Sequence, residues 1–323
     1  MSPFVPLFES PHLQTIAAHL WPRPSGGRRF PVEKKLYRTE PDVQVLVESQ
    51  SPRGTPRGDL VLVHGLEGSA GAGYMRSASY VALQDGYTVH RLNLRSCGGT
   101  EHLCRTAYHG GLTGDLLAVL RALADEGRTP VWLVGFSLGG NLVSKLAGEL
   151  GEDAKPLVAG VCAVSAAIDL RACARRIGQP DNRFYEQRFV RLMRARARAV
   201  PHLERADFQG IRSVFELDDR VTAPSFGFRG AEHYYRTQSA NQFLDRIRVP
   251  ALFITSKDDT FIPFHIYDHP AFRQNRCLRL LATEHGGHVG FIAKGRPRFW
   301  LDYAIMEWVR EQGTKRTRIS SGN

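Results

Sequence analysis

The sequence predicts an α/β fold, a mostly parallel sheet flanked by helices. Three observations carry this: short apolar runs of strand length, helix-spaced stretches between them, and glycine-rich turns where runs end. Residues 43–48 and 60–64 are strongly β-type and separated by the turn-rich SQSPRGTPRGD, which predicts a strand, a loop and the buried central strand LVLVH. After the glycine-rich GLEGSAGAGY, MRSASYVALQD predicts a helix ended at Gly86, and TVHRLNL predicts a second buried strand, parallel to the first. The rhythm repeats. Residues 113–126 place Leu116, Leu117, Leu120 and Leu123 at helical spacing, and VWLVGF, the sharp turn GFSLGG, the helix NLVSKLAGEL and the strand LVAGVCAVS follow. From about residue 168 to 248 the alternation stops. Two or three helices rich in arginine and aromatics are expected there, broken at Pro180, Pro201 and Pro224, as a helical lid inserted into a single domain spanning residues 1–323. The strands PALFITS and RCLRLLAT then resume the pattern, a helix closes it from about residue 297 to 311, and the tail GTKRTRISSGN is expected to fray.

Composition narrows the function classes. In 323 residues, 42% hydrophobic and 23% charged content supplies a core and excludes disorder, collagen and coiled coil. The longest nearly apolar run, residues 157–170, is shorter than the roughly 20 residues a membrane-spanning helix needs. The start carries Pro3, Pro6, Pro11 and Glu9 instead of a basic stretch leading into an apolar one, which argues against a secretory signal. Five cysteines without a CxxC pair argue against a disulfide framework or zinc site, so a reducing, cytoplasmic compartment is expected. The net charge is +11, and nine arginines against three acids fall in residues 169–198.

The chemistry gathers at three turns. Gly135-Phe136-Ser137-Leu138-Gly139 matches G-x-S-x-G between an apolar strand and an amphipathic helix, the context in which small flanking residues let the backbone turn sharply and present a nucleophilic hydroxyl. An ordinary turn with a capping serine would carry the same string, so partners matter. A serine needs a base, and the base an orienting acid. Downstream, ALFITS runs into Lys257-Asp258-Asp259-Thr260-Phe261-Ile262-Pro263, and LRLLAT into Glu284-His285-Gly286-Gly287-His288. The chain order Ser, Asp, His is that of α/β-hydrolases. Two aspartates and two histidines compete. Asp259 stands in a D-x-x-x-P loop and His288 follows two glycines that permit close approach, so these two are preferred. His285-x-x-His288 lacks a third ligand cluster, so no metal is expected. Two backbone amides must hold the oxyanion: that of Leu138, just after the serine, and that of Leu66 in the glycine loop after LVLVH. Neither nucleotide-binding glycine motif is present, and no organic cofactor is expected.

Taken in order, the stretches PHLQTI at residues 11–16, LVHGLEGS, NLRSCGGT, YHGG, VGFSLGGN, NRFYEQRF, FELDDRVTAPSFGF, DDTFIP and GGHVGF resemble the YheT-like branch of the α/β-hydrolases, related to eukaryotic abhydrolase-domain esterases. The resemblance implies a serine carboxylesterase for short- to medium-chain acyl esters, with lipid esters hydrolysed by some relatives. It implies the triad Ser137, Asp259, His288 and the oxyanion donors Leu66 and Leu138. His12, Gln14, Asn93, Arg95, Tyr108 and His109 are expected to brace surrounding loops, and Ser96 stands where the family has glycine. A lipid acyltransferase or phospholipase would share every catalytic residue, whereas a non-catalytic binding protein would not need the triad. In residues 184–200, Phe189, Leu192, Met193 and Val200 lie apart from Arg191, Arg194 and Arg198, an amphipathic basic helix. Its charge fits a solvated lid face first, anionic membrane contact second and nucleic acid least, since Phe184, Tyr185 and Phe189 read as buried under the lid and no nucleic-acid signature accompanies them.

Overall fold

Apolar runs with alternate residues facing opposite ways become a sheet when both faces can be covered, and helices before and after each run do that here. The structure, a computed structural model, describes residues 3–203 and 206–321, without the side chains of residue 28 and of residues 317–321. In chain order the elements that frame the site are α1 (Pro11–Leu20), β1 (Glu33–Glu40), β2 (Val43–Gln50), β3 (Asp59–Val63), α2 (Gly73–Gln84), β4 (Thr88–Leu92), α3 (Thr113–Asp125), β5 (Val131–Phe136), α4 (Leu138–Leu150), β6 (Val158–Val164), α5 (Leu170–Ile177), α6 (Arg183–Ala199), β7 (Ala251–Ser256) and β8 (Leu278–Thr283), closed by the helix Trp300–Ser321. Among the described residues the strands form one sheet ordered β1-β2-β4-β3-β5-β6-β7-β8. β2 runs antiparallel to both neighbours, and the rest are parallel.

Period-2 alternation divides the core. Val61, Val63, Leu133, Val161 and Phe253 pack with α3, α4 and the segment between β6 and β7 on one face, while Leu60, Leu62, Val134, Leu252 and Ile254 pack with α2 and the closing helix on the other. Because β3, β5, β7 and β8 are parallel and in register, with Val63 beside Gly135 and Ser256 beside Thr283, their following loops emerge at one edge of the sheet. In open α/β sheets that carboxyl edge is where ligands bind.

Three expectations need correction. β1 was not anticipated: it is an edge strand paired only with β2, and among its residues only Tyr37 is buried, so EKKLYRTE carries no apolar run. The closing helix runs from Trp300 to Ser321 instead of fraying after residue 311, supported by the Glu311 to Lys315 ion pair one turn on. Between β6 and β7, α5 and α6 are followed by one helical run, in which the π-helical turn Asp218–Thr222 joins Val214–Leu217 to Ala223–Ser225, and by Ala231–Gln238; Pro224 lies inside that run instead of breaking it.

Candidate functional site

The elbow is built by local sterics. Ser137 sits between β5 and α4 at φ 55 and ψ −115, a left-handed conformation that costs a non-glycine residue on the order of 1–3 kcal/mol. Its amide donates to Val164 O at 2.8 Å, anchoring the turn to β6. A side chain at Gly139 would strike the Val63 carbonyl, and one at Gly65 would lie 2.9 Å from Ser137 Cβ. Glycine at these two positions therefore lets the loop after β3 close onto the serine.

The structure brings Ser137, Asp259 and His288 together. His288 Nε2 lies 2.9 Å from Ser137 Oγ, and His288 Nδ1 lies 2.9 Å and 3.1 Å from the two Asp259 oxygens. Asp259 Oδ1 also accepts the amides of Phe261 at 2.9 Å and Ile262 at 3.0 Å, so the carboxylate is fixed from behind. The Asp259 side chain is buried and that of His288 nearly so. The network leaves the Nδ1 proton toward Asp259 and the Nε2 lone pair toward the serine hydroxyl. The His288 amide donates to Thr15 Oγ1 at 2.9 Å, tying the loop after β8 to α1.

The competing pair takes a different place. His285 Nδ1 contacts Asp258 Oδ2 at 3.2 Å, while Asp258 Oδ1 accepts the Gly287 amide at 3.0 Å. Asp258 thus holds the glycine turn that carries His288. Among the described residues no group of three or more His, Cys, Asp or Glu could hold a metal ion.

In the loop after β3, the Gly65 amide donates to Tyr74 OH at 3.0 Å, Glu67 to Tyr108 OH at 2.8 Å and Gly68 to Gly65 O at 3.0 Å. The Leu66 amide has no acceptor among the described residues. Leu138 is the first residue of α4, where the amide has no intrahelical acceptor. Both leucines line a cavity of about 60 Å³ that α5, α6 and the helix Ala231–Gln238 roof with Leu170, Ile177, Met193 and Tyr234. A broader depression of about 630 Å³ lies elsewhere, between residues 241–248 and 269–276, and touches none of these groups.

Bracing residues behave as their chemistry directs. Gln14 donates to the carbonyls of Phe8 and Ile292 and accepts the Ile292 amide, Asn93 joins Ala70 to Leu46, and Arg95 bridges Asp115 and Glu40. His12 stacks on Tyr185 of α6, and His109 packs among Phe226, Phe228 and Tyr234. Burial pulls His64 down to about 4 and His109 to about 3, so both are neutral at pH 7. Ser96 adopts φ 60, a conformation that favours glycine.

Two readings of the segment between β6 and β7 change. Phe184 is 74% exposed rather than buried, because the α6 face that packs is Val190, Met193 and Ala197. Nor do all the arginines of this segment face water: the Arg196 side chain is 9% exposed and paired with Glu67 at 2.7 Å. Sequence reasoning missed Glu67, Arg196 and Thr15. Nothing in the periodicity separates Arg196 from its neighbours.

Residues 60–299 match the model of the alpha/beta hydrolase family. The chain is 34% identical over 321 residues to YheT of Escherichia coli (strain K12), an esterase by name, covering 95% of this chain and 92% of that one. It is 28% identical over 263 residues to mouse phospholipase ABHD3, covering 79% of this chain and 64% of the relative's length. The Pyrococcus furiosus esterase Pf2001 shares the fold at a TM-score of 0.57 and 17% identity, covering 90% of this chain and 98% of that one.

Proposed function

From a chain that belongs to the α/β hydrolase family, we propose a serine carboxylesterase that cleaves short- to medium-chain acyl esters through an acyl-enzyme on Ser137. The observation that carries the reading is the 2.9 Å approach of His288 Nε2 to Ser137 Oγ, with Asp259 behind the ring. Ser137 Oγ attacks the ester carbonyl carbon as His288 Nε2 takes its proton. Asp259 stabilises the resulting imidazolium and keeps its tautomer fixed. The Leu66 and Leu138 amides hold the negative oxygen, each donor contributing on the order of 3 kcal/mol. Collapse expels the alcohol, protonated by His288, and leaves the acyl group on Ser137. Water then repeats the sequence with His288 as base, releasing the acid and the free serine.

The cavity supports a small acyl group. At about 60 Å³, with Leu170, Ile177 and Met193 over it, it suits a short acyl chain better than a long one. The test is hydrolysis of a p-nitrophenyl ester series together with fluorophosphonate labelling. Labelling of wild type that persists in Ser137→Ala would overturn the nucleophile.

The surface beside the site supports contact with an anionic lipid surface. α1 exposes Leu13, Ile16 and Leu20, and α6 exposes Phe184, Arg188 and Arg191. His12 stacking on Tyr185 joins the two helices, setting apolar and basic groups side by side. Vesicles containing phosphatidylglycerol should pull down the wild type more strongly than neutral vesicles, and Leu20→Asp with Phe184→Asp should abolish the difference. Equal retention on both lipids would sink this contact. Among the described residues no helix is long and apolar enough to cross a membrane.

A further inference from the structure

Three separate loops gather around one lid side chain. The Arg196 guanidinium makes hydrogen bonds to Glu67 Oε1 at 2.7 Å and 3.0 Å and to Oε2 at 3.3 Å, reaches Ser96 Oγ at 3.3 Å, and lies 4.4 Å over the Tyr108 ring. These partners come from the loop after β3, the loop after β4 and the segment before α3. The Glu67 side chain is only 6% exposed, so its carboxylate has its compensating charge in Arg196.

Glu67 directly follows Leu66, and its backbone is in the left-handed region at φ 55. A glutamate does not adopt that conformation without restraint. Two restraints are present: the Glu67 amide donates to Tyr108 OH at 2.8 Å, and Tyr108 OH donates back to Glu67 Oε1 at 3.1 Å. Arg196 holds the same carboxylate and the same ring from above. Relaxation of the Glu67 backbone would turn the Leu66–Glu67 peptide and, through Leu66 Cα, displace the preceding Gly65–Leu66 peptide, whose N–H is the unengaged one in residues 65–68.

We propose that Arg196 is a positioning residue: through Glu67 and Tyr108 the lid helix α6 sets the Leu66 amide in its oxyanion-binding orientation, so the site is complete only while α6 is docked. This rests on the esterase reading above. Arg196 touches neither substrate nor reacting atoms in this role; it acts through Glu67. Lid docking and transition-state stabilisation are then one equilibrium, and a substrate that favours the docked lid favours its own turnover.

The test uses the full chain as wild type, Arg196→Met, Arg196→Lys and Glu67→Gln, with the exposed lid arginine variant Arg175→Met as control. Two readouts are taken. Hydrogen exchange of residues 64–70 should speed up in Arg196→Met and Glu67→Gln and stay at the wild-type rate in Arg175→Met. Steady-state hydrolysis of p-nitrophenyl acetate should lose ~10- to 100-fold in kcat for Arg196→Met, with KM within about threefold. A trifluoromethyl ketone, to whose carbon the Ser137 oxygen adds while its proton passes to His288, needs the same amides. Its inhibition constant should rise by the same factor as kcat falls. Arg196→Lys should fall between, since an ammonium replaces the charge without the fork.

Unchanged exchange in residues 64–70 would overturn the inference, as would a loss confined to KM with ketone affinity intact. Should Arg196→Met fail to fold, Glu67→Gln breaks the same ion pair from its other end and is held to the same two outcomes. A wild type that neither hydrolyses esters nor reacts with fluorophosphonate would instead sink the esterase reading, while the exchange measurement still judges the link between α6 and the loop.

Discussion

The two sides of the candidate site are assembled from different materials. The Ser137, His288 and Asp259 side hangs on turns that leave β5, β7 and β8, parallel strands locked in register, of which β5 and β7 are buried along their whole length. The Leu66 side hangs on a loop whose shape is held by Tyr74 and Tyr108 and by an arginine from the insertion between β6 and β7. One side is therefore held by the sheet itself. The other has Arg196 of α6 among its supports, so under the proposal above it keeps its shape only while α6 is in place.

Substitutions can break this contrast. The largest effect falls on the sheet side: Ser137→Ala should lower kcat for p-nitrophenyl acetate by ~10⁴- to 10⁶-fold with the melting temperature preserved. A loss under tenfold would mean that another group attacks. Next comes Asp259→Asn, expected to cost ~10²- to 10⁴-fold because the imidazole loses its tautomer and its charge partner. Its neighbour Asp258→Asn disturbs the brace on Gly287 and the contact with His285, neither of which reaches the His288 ring, and should stay within about tenfold. Reversal of that order would exchange the roles of the two aspartates.

The smallest effect compares a buried acid from each region. Burial pushes Asp218, hydrogen-bonded to Tyr235 in the insertion, up from 3.8 to about 6, and burial does the same to Asp302 in the closing helix. A carboxyl raised in the folded state costs nothing below its unfolded value, where both states are protonated. Stability then falls as pH rises from about 4 to about 6, by about 3 kcal/mol for each acid, and stays lower above that. Asp218→Asn and Asp302→Asn should each flatten part of this decline in urea unfolding measured at pH 4.5 and 7.5. If only Asp302→Asn does so, the insertion opens before the sheet melts, which would sharpen the contrast into two unfolding steps.

Legibility in the sequence followed burial. Strands such as LVLV and VWLVGF are buried on both faces, so their apolar runs are uninterrupted and readable. β1 has one buried residue and reads as a polar linker. The turn around Ser137 was legible because the glycine at 135 answers a steric demand that is itself local, a side chain there striking the Gly139 carbonyl. Phe184 and Arg196 were not, because an aromatic at the start of α6 and one arginine among nine look the same whether they face water or the core.

What the sequence determined by itself is therefore the alternating layer order, the sharp turn at Ser137 and the residue types on the loops after β7 and β8, all of which are set by short-range periodicity and backbone sterics. Only the tertiary structure decided that Asp259 faces His288 while Asp258 holds Gly287, and that Arg196 turns inward to Glu67. Adjacent residues of one type differ only in the direction their side chains take, and that direction is set by packing partners far away in the chain.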